Sequence, residues 1–223
     1  AKVFVTSRLF AGYSGALDAG VLARLIAALP QGAPGATAAH KRYDAAACAV
    51  EIPADVGFCA LGHNLYALGS SYSGACPVLS SLVSYGYLWN MVRVQGGAYG
   101  TGMNVRRSGD IFCYSYRDPN LDNTRAVFSA VADFIEDFAA QGMPLDDIII
   151  GAVNTTDPLL DPAGVCESQC VRALKGVTPE ELARTRHELL ATKPADLAAM
   201  ADVLRKYARE GKFCTFSGTN GGA

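Results

Sequence analysis

A glycine-rich break in a long apolar run constrains this chain more than any other feature. Residues 88–102 read LWNMVRVQGGAYGTG, so that Gly96, Gly97, Gly100 and Gly102 follow directly on a helical pattern. Upstream, Val78, Leu79, Leu82, Val83, Leu88, Trp89 and Val92 predict a mostly buried helix that begins near Ser73 and carries Arg93 at its end. Downstream, residues 100–106 and 110–116 predict two strands of a hairpin turned at Arg107-Ser108-Gly109. Arg93 and Tyr99 therefore stand between a helix terminus and a sheet, and two readings of them are open. A helix-end arginine bonds the last carbonyls while a tyrosine packs its ring on a strand. Alternatively, a guanidinium and a phenol stand over a substrate, the first giving fixed donors to peptide carbonyls and the second a donor to a developing oxyanion. In the second reading Gly96 and Gly97 let the tyrosine approach.

The remaining pattern mixes strands and helices. Residues 2–6 predict a short strand, and Leu17, Val21, Leu22, Leu25, Ile26 and Leu29 predict an amphipathic helix ending before Pro30. Residues 31–44 are turn-rich and read as a surface loop. Residues 47–52 and 56–61 flank Pro53-Ala54-Asp55 and read as an antiparallel pair. Asp118-Pro119-Asn120 marks a strand exit and a helix cap, followed by one long helix with Val127, Val131, Phe134, Ile135 and Phe138 on one face and Gly142 as its stop. Further helices are predicted at 145–153, 163–174, 178–190 and 197–208, with Thr178 and Glu181 forming a capping box, and a last strand at 212–216.

At 223 residues, half of them hydrophobic, the chain can bury a core as one large domain or two small ones. Nineteen Lys and Arg oppose twenty-one Asp and Glu without any block of like charge, which argues against nucleic acid or an anionic membrane surface as a partner. The seven cysteines are odd in number and lie in apolar segments, which suits free thiols in a reducing, cytoplasmic or organellar, compartment. The chain has no initiator Met and reads as an excised piece of something longer.

Three kinds of chemistry find little support. His40, His63 and His187 are far apart, and no pair has the spacing that sets two imidazoles on one helix face, so a zinc site within this chain is not expected. Cys166 and Cys170 share a helix face, but a redox pair is more often Cys-x-x-Cys at a helix N-terminus, and two small packing residues are the simpler reading. The glycines lack the Lys-Ser/Thr of a phosphate loop, and a helix precedes them where a dinucleotide fingerprint needs a strand.

The segment YLWNMVRVQGGAYG resembles the C-terminal half of the pitrilysin and insulinase zinc metallopeptidases, within them the presequence protease branch. SSYSGACPVLSSLVSYGYLWNMVRVQGGAYG, SYRDPNLDNT and ELARTRHELLATKPADLAAMADVL occur in the order of that branch, so the likeness runs from about residue 55 to 204. It implies an α+β fold, a two-layer domain with a mixed, mainly antiparallel sheet packed on helices, and residues 1–223 as a single C-terminal domain of a multidomain chain. It implies a peptidase that closes around unfolded peptides. Its zinc and glutamate base come from a first domain that this chain lacks, so this chain binds no cofactor and the excised piece is inactive. Carried over, the family's arginine falls on Arg93 and its tyrosine on Tyr99, as substrate-binding and oxyanion-stabilising residues, with Gly96 and Gly97 beside them. Expected partners are unfolded peptides and the other domains of the parent chain. The alternative is a non-catalytic structural or assembly subunit of the same fold.

Overall fold

The computed structural model describes residues 5–32 and 46–218, so residues 2–4 of the expected first strand, most of the expected loop at 31–44 and His40 lie outside the described residues. Thr6 belongs to a 3-10 turn, Thr6–Arg8, rather than to a strand. In chain order follow α1 (Ala19–Ala28), β1 (Cys48–Glu51), β2 (Gly57–Asn64) and α2 (Ala75–Ser81), which runs directly into a π-helical segment (Leu82–Gln95). Next come β3 (Gly100–Val105), β4 (Asp110–Asp118), α3 (Leu121–Ser129), α4 (Val131–Ala140) and α5 (Asp146–Thr156). The chain continues as α6 (Pro162–Leu174), α7 (Pro179–Ala191), α8 (Pro194–Ala198), α9 (Ala201–Glu210) and β5 (Lys212–Ser217). No helix among the described residues is long and apolar enough to cross a membrane.

The chain divides into two compact units, Ala1–Asp44 with Leu159–Leu182 and Ala45–Pro158 with Ala183–Ala223. In the smaller, α1 starts where Asp18 Oδ1 accepts the Gly20 and Val21 amides at 2.8 and 3.2 Å, and α6 starts where Asp161 Oδ1 accepts the Gly164 amide at 2.7 Å. Capping and periodicity thus produce both helices. Neither helix has a buried residue, however, and the stripe of Val21, Leu25 and Ile26 that predicted an amphipathic helix is exposed.

The larger unit is a helical layer on a five-stranded sheet of order β1-β5-β2-β4-β3, parallel between β1 and β5 and antiparallel elsewhere. This is the mixed, mainly antiparallel α+β fold expected from the resemblance. The β3–β4 hairpin turns where expected, with Gly109 at φ 94°. The expected pairing of the segments around Pro53 does not form: β5 lies between β1 and β2, with Cys48 opposite Cys214 on one side and Cys59 opposite Thr215 on the other. A local turn signal carries no information about a strand inserted from more than 150 residues away.

Two helices also differ from expectation. The helix after β4 is broken at Ala130 (φ −93°, ψ 8°) into α3 and α4, although Val127, Val131 and Ile135 still share the buried side. Its cap is Asn120, whose Oδ1 accepts the Asn123 amide at 3.2 Å. Asp118 is instead buried at the end of β4, accepting the Asn120 amide at 2.9 Å and the Thr124 hydroxyl at 2.6 Å. Similarly, the expected last long helix is two, α8 and α9.

One face of the sheet carries Cys59, Leu61, Met103, Val105, Ile111 and Cys113 into a core with Leu79, Leu82, Leu88, Phe128, Ile135 and Leu204. Tyr207 of α9 lies fully buried in it, its hydroxyl donating to the Leu61 carbonyl at 2.7 Å and accepting from the Cys113 amide at 2.9 Å. Ser115 Oγ is the one buried side-chain polar atom without a hydrogen bond among the described residues.

Candidate functional site

The π-helical segment and β3 form the walls of the site. Along α2 and its continuation the buried residues are Cys76, Val78, Leu79, Leu82, Val83, Leu88 and Val92, and the step of five from Val83 to Leu88 is one that a widened turn accommodates. The same widening leaves Trp89, expected in the core, 39% exposed. Its ring lies beneath Arg93, whose guanidinium carbon is 3.9 Å from the ring centroid, and beside Tyr85 at 6.4 Å. At the helix end the Gly97 amide donates to the Arg93 carbonyl at 3.0 Å and the Ala98 amide to the Val92 carbonyl at 3.1 Å. Gly97 makes this closure at φ 82°, a left-handed conformation that a side chain would strain.

The chain then enters β3 at the edge of the sheet. β3 is sealed against the preceding helices: the Met103 amide donates to Ser84 Oγ at 2.8 Å and the Val105 amide to Ser80 Oγ at 3.0 Å. Its glycines form a floor under two rings of β4. Gly100 is opposite Tyr116 and Gly102 opposite Tyr114. A Cβ on Gly100 would come within 2.3 Å of the Tyr116 ring, so no larger residue fits there without displacing the tyrosine.

These elements enclose an open cleft of about 420 Å³ bounded by Tyr85, Trp89 and Arg93 on the helical side, residues 99–105 along β3, and Tyr114 and Tyr116. Tyr99, 61% exposed, meets Tyr116 edge-on at 5.5 Å, and Arg117, at φ 50°, holds its guanidinium carbon 5.8 Å from the Tyr99 ring centre. Burial pushes the Tyr114 phenol above its ordinary pKa, with Tyr116 and Tyr85 adding to the shift, so at neutral pH it is a protonated donor.

Arg93 and Tyr99 thus line one cleft, and of the expected site residues Gly96 and Gly97 build the turn between them. The bland alternative is only partly realised. Tyr99 does pack its ring on a strand neighbour, but the Arg93 carbonyl, rather than its guanidinium, closes the helix end. Among the described residues neither the Arg93 guanidinium nor the Tyr99 hydroxyl makes a hydrogen bond or an ion pair, so both keep donors for something else. Sequence reasoning missed Tyr85, Tyr114 and Tyr116. A signal was present: Tyr-x-Tyr at 114–116 opposite Gly-x-Gly at 100–102 puts rings and bare backbone on one sheet face.

The cleft's polar side chains are phenols, a guanidinium, serine or threonine hydroxyls and the Asn104 carboxamide, a set without the imidazole, thiolate or carboxylate that zinc requires. Zinc does not fit here. Elsewhere, His63 is half-buried on β2, where its Nδ1 accepts the Asn64 amide at 2.8 Å, and His187 is exposed on α7. Among the described residues no three His, Cys, Asp or Glu side chains are grouped to hold a metal ion.

Residues 48–216 match the family model described as PreP C-terminal domain. The chain is 34% identical over 157 residues to presequence protease 1, chloroplastic/mitochondrial, of Arabidopsis thaliana, a stretch that covers 70% of this chain and 14% of that protein. It is 31% identical over 160 residues to protein HypA of Clostridium perfringens, covering 72% of this chain and 16% of that protein. The chain therefore corresponds to a small part of the length of these curated relatives. In fold it is similar to the peptidase M16 inactive domain from Pseudomonas fluorescens, with a TM-score of 0.62 at 13% identity over 92% of this chain and 51% of that one. A putative zinc protease from Bordetella pertussis Tohama I gives a TM-score of 0.52 at 12% identity over 72% of this chain and 93% of that one. The matched residues carry the sheet and the cleft, and the chain belongs to the presequence-protease C-terminal domain family, on the fold of the pitrilysin and insulinase peptidases.

Proposed function

We propose that this chain is the substrate-binding, site-completing C-terminal domain of a zinc-dependent peptidase that hydrolyses unfolded peptides, a single domain of a longer multidomain chain. The observation that carries this reading is the pair of uncommitted donors, Arg93 and Tyr99, on one aromatic-lined cleft. In this account the Tyr99 hydroxyl donates a hydrogen bond to the oxyanion developing on the scissile carbonyl. The Arg93 guanidinium, steadied over Trp89, holds a neighbouring substrate carbonyl or carboxylate and so orients the backbone. Gly96 and Gly97 give the intervening turn the freedom to bring Tyr99 onto substrate.

Metal and general base belong to another domain of the parent chain, because the cleft offers hydrogen-bond donors and no metal ligands. Strand addition by the peptide belongs there too. On this chain the β3 edge amides of Met103 and Val105 are already taken by serines, and β1 is only four residues long. The names of the relatives from Arabidopsis and Emericella nidulans place those proteins in mitochondria or chloroplasts, which supports the organellar matrix over the cytoplasm for this one.

By itself the 223-residue chain is predicted to cleave no peptide. In the complete enzyme, Arg93→Ala should weaken peptide binding and turnover, lowering kcat/KM about ten- to a hundredfold, the scale of one charge-assisted hydrogen bond. The rival reading, a non-catalytic structural or assembly subunit, draws on the name of the Pseudomonas neighbour, an inactive domain. Wild-type kinetics in Arg93→Ala would reject the substrate role and favour that rival.

A further inference from the structure

Away from the cleft, two cysteines face each other across the sheet. Cys48 of β1 and Cys214 of β5 are register partners in the parallel pair, and their Sγ atoms are 2.7 Å apart. Cys48 is exposed and Cys214 half-exposed, whereas Cys59 and Cys113 are buried on the core face. Neighbouring strands lie about 4.7–4.9 Å apart, inside the range of about 4.4–6.8 Å between Cα atoms that a disulfide spans. Register and sulfur proximity together put the pair within reach of a bond.

We propose that Cys48 and Cys214 are a reversible dithiol–disulfide site that fastens the edge strand β1 to the body of the sheet. The co-reactant is a small-molecule disulfide. The Cys48 thiolate, on the exposed strand, attacks one sulfur of that disulfide, giving a mixed disulfide on Cys48 and releasing one thiolate, which takes up a proton. Cys214 then loses its proton and attacks Cys48 Sγ, forming the Cys48–Cys214 bond and releasing the second small thiol. Two protein thiols are oxidised by two electrons, and one disulfide is reduced to two thiols.

The assignment of roles follows from position. Cys48 stands on the outermost strand, where reagent arrives, while the hydrogen bond with Cys48, together with burial, raises the Cys214 thiol pKa and keeps it protonated until the mixed disulfide forms. The consequence follows from topology. β1 is four residues long and is held on one side only, by its ladder to β5 and the Ile52 amide donating to the Ser217 carbonyl at 2.8 Å. A covalent link there closes a loop through nearly the whole larger unit. Cys166 and Cys170, four apart on α6, are a second thiol pair, but a bond between them joins adjacent turns of one helix and fastens no further element.

The test is to equilibrate the 223-residue chain with glutathione disulfide, alkylate the free thiols, digest, and map the cysteines by mass spectrometry. The expected result is one Cys48–Cys214 linked peptide per chain, with loss of these two of the seven thiols. Melting temperature should rise on oxidation and return with a dithiol reductant. Cys48→Ser should abolish both the link and the shift, and Cys214→Ser should accumulate glutathione on Cys48 because nothing resolves it. Glutathione retained on Cys48 or Cys214 of the unsubstituted chain would overturn the proposal. So would oxidation confined to Cys166 and Cys170, or an equal melting temperature in both states.

Discussion

The two faces of the sheet are built from alternate residues of the same strands, yet they obey different rules. On β4, Ile111, Cys113 and Ser115 point into the helical layer and are buried, while Phe112, Tyr114 and Tyr116 lie on the other face. That second face continues across the register through Phe58 and Phe216 to Val50, each between 38% and 41% exposed. Packing sets the first face: its side chains fill space, and the buried Tyr207 hydroxyl is satisfied by Leu61 and Cys113. The second leaves large rings part-exposed and, beside β3, one guanidinium and one phenol without hydrogen-bond partners among the described residues. A fold that needed only stability would not leave aromatic rings there. The difference teaches that the helical layer is the scaffold and the ring-bearing face is the surface offered to something else.

If this division is right, substitutions on the two faces part company. Phe128→Ala, on the core side and fully buried, should cost about 3–5 kcal/mol in urea unfolding. The core face should also yield to alkali. Burial raises the thiols of Cys59 and Cys113 from the ordinary 9.0 to about 12 and pushes the Tyr207 phenol well above its usual value. The unfolded chain therefore loses these protons first. Stability should be complete below about pH 9 and fall as pH climbs toward 12. A urea midpoint unchanged between pH 8 and 11 would contradict that burial.

Tyr116→Ala, on the open face, should cost only about 1 kcal/mol despite the size of the ring removed. A loss as large as that of Phe128→Ala would mean that the face is structural after all. Smallest and opposite in sign is Ser115→Ala. Its hydroxyl is buried without a partner, so removing it should leave stability unchanged or raise it by up to about 1 kcal/mol. A clear loss of stability would reveal a partner for Ser115.

Local signals are legible in the sequence. The hairpin through Gly109, a helix start after β4, β5 and the delivery of Arg93 to a helix end all follow from spacing and turn residues. Long-range pairing was not legible. Nothing near Pro53 announces that β5 will separate β1 from β2, and Ala130 gives no sign of breaking a helix. Periodicity marks an apolar face without showing what covers it: Val127, Val131 and Ile135 are buried, whereas Trp89 and the stripe of α1 are exposed. At the site, Arg93 and Tyr99 became readable through the resemblance, whereas Tyr114 and Tyr116 required the pairing register that sets them over Gly100 and Gly102.

The central claim is that the Tyr99 hydroxyl serves chemistry and not architecture. Tyr99→Phe keeps the ring and its contact with Tyr116 and removes one hydroxyl that has no hydrogen-bond partner among the described residues. The decisive measurement is kcat of the complete enzyme carrying Tyr99→Phe, on an unfolded peptide at saturating concentration, beside the melting temperature of the same variant. A fall in kcat of more than about tenfold, the scale of a lost oxyanion donor, with melting unchanged, is the predicted result; full turnover by a stably folded variant would contradict the account.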